Sequence, residues 1–176
     1  KNIAKIKKVQ PDAEFSFDLL YGMPGDNFYH FRNTADFALS LSPRRVYFSN
    51  LLLLPGTPYW DDREKHGFQY LDEPPYLVYA NNTFSIEDME RSREFALSVL
   101  HVLYFHSLRD LIYRITEYRP ELRRIELIEK MLESIYRHID PFDGIDLHVM
   151  TLEGNNLARR RVFNRMAKPE NCLITY

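Results

Sequence analysis

The chain has 176 residues, a formal charge of −2 and 45% hydrophobic residues. That length carries one domain or two small ones and buries a sizeable core, and the near-neutral balance gives no basis for a general nucleic-acid or membrane-surface binder. The single cysteine, Cys172, excludes an internal disulfide and an iron–sulfur cluster held by this chain alone, and it fits a reducing, cytoplasmic compartment.

The first residues, "KNIAKIKK", place Ile3 and Ile6 at helical spacing and read as the end of a helix that Pro11-Asp12 breaks. An amphipathic start at Lys1 reads as a cut inside a longer protein, with processing or a disordered start as the other reading. "AEFSFDLLYG" alternates and then becomes continuously apolar, the pattern of a strand buried on both faces. After Gly22-Met23-Pro24-Gly25, Asp26 or Asn27 caps a helix whose stripe is Phe31, Ala35, Ala38, Leu39 and Leu41, and Ser42-Pro43 ends it. "RRVYFSNLLLLPGT" is a second strand-like run closed by a Pro-Gly turn, and "PYWDDREKHGF" is a short helix ending near Gly67. "NLLLLP" is far too short to cross a bilayer.

Alternation with loops this short predicts parallel strands. Two strands alone are too few for an independent sheet, and the remainder offers little more: "YLDEPPYLVYANNTFS" is irregular, with "YLVYA" as a short edge strand. From Ser85, capped against Asp88, one long helix is expected through "YRITEYR", with Phe95, Val99, Val102, Leu103, Leu108, Leu111, Ile112 and Ile115 on its stripe. Pro120 opens a second helix carrying Ile125, Ile128, Leu132, Ile135 and Tyr136, which Pro141 closes. "GIDLHVMTLEG" is a strand or a loop, and "NNLARRRVFNRMAK" a last helix. The basic runs at Lys5–Lys8 and Arg159–Arg161 read as solvated faces.

The glycine turns carry the chemistry. Small residues at the C-terminal end of a parallel strand let backbone approach a ligand, and a helix N-terminus just beyond offers N–H groups to an anion. An ordinary tight turn is the other reading. The second turn, Leu54-Pro55-Gly56-Thr57, falls at the same end of the next strand, which suggests a shared rim. There is no GxGxxG fingerprint and no Walker lysine. His30, His66, His101, His106, His138 and His148 form no paired metal motif and read as structural. Asp61-Asp62 and Glu87-Asp88-Glu90 read as helix N-terminal acids.

The stretch from Asp18 to Phe68 resembles the C-terminal half of a radical S-adenosylmethionine (SAM) enzyme barrel, closest to members with an N-terminal cobalamin-binding domain. In such enzymes a strand ending in a Gly-hydrophobic-Pro-Gly-Glu-Thr turn lies next to SAM. The chain matches at Asp18, Gly22, Pro24 and Gly25, and departs with Leu20 for Ile, Asp26 for Glu and Asn27 for Thr. "LPGTPYW" also resembles the family, where that region helps form the adenine pocket.

The resemblance implies an α/β fold. Residues 1–75 would be the last βα units of a partial (β/α) TIM-like barrel, and 76–176 a mainly α-helical C-terminal extension. It implies SAM-site residues Leu20, Gly22, Met23, Pro24, Gly25 and Asp26. It also implies either Val46, Phe48 and Asn50 or the opposite face at Tyr47 and Ser49 near adenine. Alternation admits one of these sets, and Tyr47 with Ser49 is favoured. A [4Fe–4S] cluster on a CxxxCxxC loop is implied upstream of Lys1, with cobalamin on a preceding domain as a further option.

Two functions follow. One is the C-terminal fragment of a radical SAM oxidoreductase or methyltransferase, cyclase-like among other options, inactive alone and prone to self-association through unpaired edges. The other is a non-catalytic helical interaction module, with the amphipathic helices from Ser85 to His138 facing a partner protein. On the first reading Gly22→Val weakens SAM binding by crowding a backbone approach.

Overall fold

A computed structural model describes residues 2–136. The last expected helix, the "GIDLHVMTLEG" segment, His138, His148 and Cys172 lie outside the described residues. The order is α1 (Asn2–Val9), β1 (Ser16–Tyr21), α2 (Phe28–Ser40), β2 (Arg45–Asn50), α3 (Pro58–Asp61), α4 (Arg63–His66), β3 (Gln69–Tyr70), β4 (Val78–Ala80), α5 (Ile86–Tyr104), α6 (His106–Tyr118) and α7 (Arg124–Tyr136). The fold is mixed α/β with two small sheets, and no barrel closes among the described residues.

β1 and β2 pair in parallel, from Ser16 against Arg45 to Tyr21 against Asn50. Helices cover one face of this sheet. Phe31 of α2 meets Tyr21 at 5.2 Å and Phe48 at 5.8 Å between ring centroids, and Phe95 of α5 meets Phe48 at 6.4 Å. The expectation that β1 is buried on both faces is therefore corrected. Along β1 and β2 exposed residues alternate with covered ones, and Leu20 is 42% exposed. With two strands and helices on one side, no element among the described residues covers the second face.

Asn27 caps α2 by accepting from His30 N at 3.0 Å, and Phe31, Ala35, Ala38 and Leu39 are buried as their spacing predicts. β2 does not run on through the leucines. The chain leaves the ladder after Asn50, burying Leu51 and Leu53 while Leu52 bridges Leu77. The short helix is two single turns, α3 and α4, ending at Gly67. The expected edge strand is β4, and it pairs antiparallel with β3, which has no hydrophobic pattern of its own.

The expected long helix is broken. At Phe105 the backbone is extended, and α5 and α6 meet at 95°. No proline or glycine causes this. Aromatic residues are weak helix formers, and the bend turns Leu108 and Ile112 of α6 into the same core as Val99 and Val102 of α5. Pro120 does not open α7 either. It follows Arg119 in a turn closed by Leu122 N donating to Arg119 O at 3.0 Å, and the helix starts at Arg124. Ile125, Ile128 and Leu132 are buried; the side chains of Ile135 and Tyr136 lie outside what is described. A contiguous core runs from Tyr21 and Phe31 through Val78 and Phe84 to Ile112 and Ile128. No single helix among the described residues is long and apolar enough to cross a membrane.

One buried arginine ties the helices together. Arg124 donates from Nε to Thr116 Oγ1 at 2.7 Å and from Nη1 to Leu39 O, and it stands 4.4 Å from the Tyr113 ring centroid. Burial pushes the Tyr113 phenol up from 10.0 to about 12, against the pull of Arg124 and Arg109. In the unfolded chain that group ionises near 10.0, so between there and about 12 the unfolded state has lost a proton that the folded state keeps. Stability is complete below this window and falls as the pH rises through it. Burial raises Tyr21 as well, with the same sign. Denaturant titrations across that alkaline window are expected to show falling stability, with a shallower fall in Tyr113→Phe. Identical slopes would remove Tyr113 as a source.

Candidate functional site

β1 ends in a turn that the protein itself grips. Asp26 N donates to Met23 O at 3.1 Å, closing Met23–Asp26. Gly22 O accepts from Asn81 Nδ2 at 2.9 Å, and Gly25 N donates to Thr83 Oγ1 at 2.7 Å. Asn81 is buried, and its Oδ1 also accepts from Thr83 N at 2.9 Å and Phe84 N at 3.0 Å, the local turn that asparagine favours. One amide thus joins the glycine turn to the segment that leads into α5.

The helix N-terminus beyond the turn is likewise occupied. Phe28 N donates to Asp88 Oδ2 at 3.3 Å, Asn27 N donates to Asp26 Oδ1 at 2.9 Å, and Arg91 covers the Phe28 ring at 4.4 Å. The expected N–H cradle for a ligand anion is corrected on this point, because Asp88 already supplies the carboxylate. Asp26 is spent locally, with His30 Nδ1 3.5 Å from its Oδ1. Met23 and Pro24 are half-buried beside it. The second glycine turn is held by its own residues: Thr57 Oγ1 donates to Leu54 O at 2.7 Å and accepts from Trp60 N at 3.3 Å.

Gly22 is the tightest point. Its φ is +89°, and a Cβ built there would lie 3.0 Å from both Sδ and Cε of Met89, on the first turns of α5. Behind the turn Arg93 is 3% exposed beside Tyr21. Burial raises the Tyr21 phenol, and the charge of Arg93 and its hydrogen bond to that side chain oppose the rise.

The other predicted residues gather on the uncovered face of the sheet. The register sets Asp18 against Tyr47 and Leu20 against Ser49, all four exposed. Val46, Phe48 and Asn50 point the other way, toward the helices, and Asn50 Nδ2 donates to Val78 O at 3.1 Å. Leu20, Tyr47 and Ser49 therefore share one surface, an apolar and aromatic strip with a hydroxyl beside it. Gly22–Asp26 forms the end of the strand rather than part of that strip.

Asn81, Thr83, Met89 and Arg93 are additions that sequence reasoning did not single out, and Asp88, read there as an acid at the start of its own helix, also reaches Phe28 N of α2. "NNTFS" before a helix is a turn-and-cap signature, but it carries no sign of its partner 59 residues upstream. Among the described residues no group of three or more His, Cys, Asp or Glu side chains is placed to hold a metal ion. His66 packs between Tyr59 and Phe68, at 5.6 Å and 5.7 Å, a structural role. No protein-family model matches the chain, and no curated protein matches it.

Proposed function

We infer that the chain supplies two neighbouring staves and the C-terminal helices of a radical SAM enzyme, with the uncovered face of β1 and β2 as part of the wall around SAM and substrate. The observation that carries this reading is the one-sided sheet: two parallel strands, helices on one face, and Asp18, Leu20, Tyr47 and Ser49 bare on the other. A partial (β/α) barrel builds its outside from helices and its inside from such strand faces. The glycine turn at the strands' C-terminal end supports it, because α/β sheets bind ligands at that end.

In this reading Leu20 offers an apolar surface to the purine, the Tyr47 ring a stacking surface, and the Ser49 hydroxyl a polar contact. Gly22, Met23, Pro24, Gly25 and Asp26 act indirectly by holding the end of β1. A [4Fe–4S] cluster does not fit here: no cysteine lies among the described residues, and one thiolate cannot ligate it. Cysteines outside this chain would hold it, and SAM on that cluster would supply the radical chemistry. The setting is reducing and cytoplasmic, and no residue described here is assigned to cobalamin. Phe95, Val99, Val102, Leu108, Ile112, Ile125, Ile128 and Leu132 of the α5, α6 and α7 stripes are buried in the core, which weighs against a module that docks by those faces.

The test uses the full-length protein reconstituted with iron and sulfide. Wild type is expected to cleave SAM to 5′-deoxyadenosine. Leu20→Asp, which disturbs no core contact, is expected to weaken SAM binding about tenfold, from loss of apolar contact worth roughly 1.5 kcal/mol, with melting unchanged. SAM binding equal to wild type in that variant, or a gene with no CxxxCxxC loop upstream of Lys1, overturns the reading.

A further inference from the structure

The edge of β2 that faces away from β1 borders a groove of about 400 Å³. Six consecutive residues, 43–48, line it. Successive side chains of a strand point to opposite faces, so a groove that touches all six faces the strand's edge. The opposite wall is the end of α5, with Leu100, Leu103 and Tyr104, and the start of α6, with His106, Arg109 and Tyr113. The 95° bend at Phe105 holds that wall open. β2 pairs with β1 alone, so the N–H and C=O groups on its other side have no strand partner among the described residues.

The rim is basic. Arg44, Arg45, His106 and Arg109 line the groove, and no carboxylate does. Arg44 reaches Glu14 in an exposed pair that exchanges readily with a competing carboxylate, while the largely buried Arg109 holds Asp110 at 2.8 Å and donates from Nη1 to Arg44 O at 3.0 Å. Arg45 donates to the Tyr47 hydroxyl at 3.3 Å. The N-terminus of α6 has no side-chain cap and adds its positive end to the same wall. A second copy of the chain would bring a second basic rim against the first, which disfavours edge-to-edge pairing of two β2 strands.

We propose that this groove receives an extended acidic peptide from a partner protein, added to the free edge of β2 as a third strand. Backbone hydrogen bonds to β2 hold the peptide. Alternate acidic side chains meet Arg44, Arg45 and Arg109, and the intervening apolar ones rest on Leu100, Leu103 and Tyr104. The groove and the bare face assigned to SAM meet at Tyr47, but Leu20 does not line the groove, so Leu20→Asp and the peptide assay test the two assignments apart.

The probe is a fluorescein-labelled peptide of about ten residues alternating glutamate and valine, enough to span a strand of ordinary length. Fluorescence polarisation against the full chain is expected to give saturable binding that weakens with added salt. Arg45→Glu is expected to weaken it about tenfold while melting as wild type does, because a charge opposed to the ligand is introduced at an exposed position. Amide exchange at 45–49 is expected to slow only when the peptide is bound. Equal binding of a lysine–valine peptide overturns the proposal. So does full displacement by inorganic phosphate, which marks a small-anion pocket; so does unchanged exchange at 45–49 in the saturated complex, or a stable dimer of the free chain sealed by that edge.

Discussion

Gly22→Val is expected to lose about 3–4 kcal/mol of folding stability, a fall in melting temperature of roughly 6–16 °C for a domain of this size. Two costs add. At φ +89° a side chain meets its own backbone, and β-branching makes this worse. The new carbons also enter space held by Met89, which is 1% exposed, so its thioether has little room to withdraw. Displacing Met89 disturbs the start of α5, and with it the Asn81 bond that secures Gly22 O. Gly25→Ala separates the two costs. Its φ is +87°, but nothing lies within 4 Å of the added carbon, so only the backbone strain of about 1 kcal/mol remains. Equal losses in Gly22→Ala and Gly25→Ala would show that contact with Met89 contributes nothing. A loss of SAM binding in Gly22→Val would therefore follow from lost stability alone, so the proposed SAM face is tested by Leu20→Asp instead.

Gly22 also shows where the sequence stops being legible. Its positive φ was foreseeable from a glycine ending a strand, but a close approach by ligand and one by Met89 leave the same mark on the sequence. Features decided within a few residues read largely correctly: the α2 cap narrowed to Asp26 or Asn27, Ser85 as a cap, the stripe from Phe31 to Leu39 though not its last member Leu41, which is the C-cap, and the end of α4 at Gly67. Features decided across the chain did not. The bend at Phe105 follows from what α6 must cover, and Pro120 suits the second position of a turn as well as the first turn of a helix. Alternation sorted Leu20, Tyr47 and Ser49 from Val46 and Phe48, but which set is covered depends on where the helices lie. The hold of Asn81 on Gly22 links positions with no pattern in common.

Arg124→Leu is expected to cost about 2–3 kcal/mol, and the decision turns on two opposed effects. Burial of the guanidinium is unfavourable, and it lowers the proton affinity of Arg124 below its ordinary value. Leucine removes that cost. It also leaves Thr116 Oγ1 without its donor, takes one of two donors from Leu39 O, which keeps Ser42 N at 3.0 Å, and removes the cation from the Tyr113 ring. Both of these partners are neutral, so the loss is smaller than for a broken ion pair, but two hydrogen bonds and a ring contact outweigh the relief of one partly screened charge. Arg124→Lys keeps the charge and loses the planar fork, which places it at about 1–2 kcal/mol. Arg124 spans α2, α6 and α7, so the leucine variant is expected to lose amide protection first in α7 while β1 and β2 keep theirs. A leucine variant as stable as wild type would mean that burying the charge costs as much as its contacts return, and that core packing alone holds α7 in place.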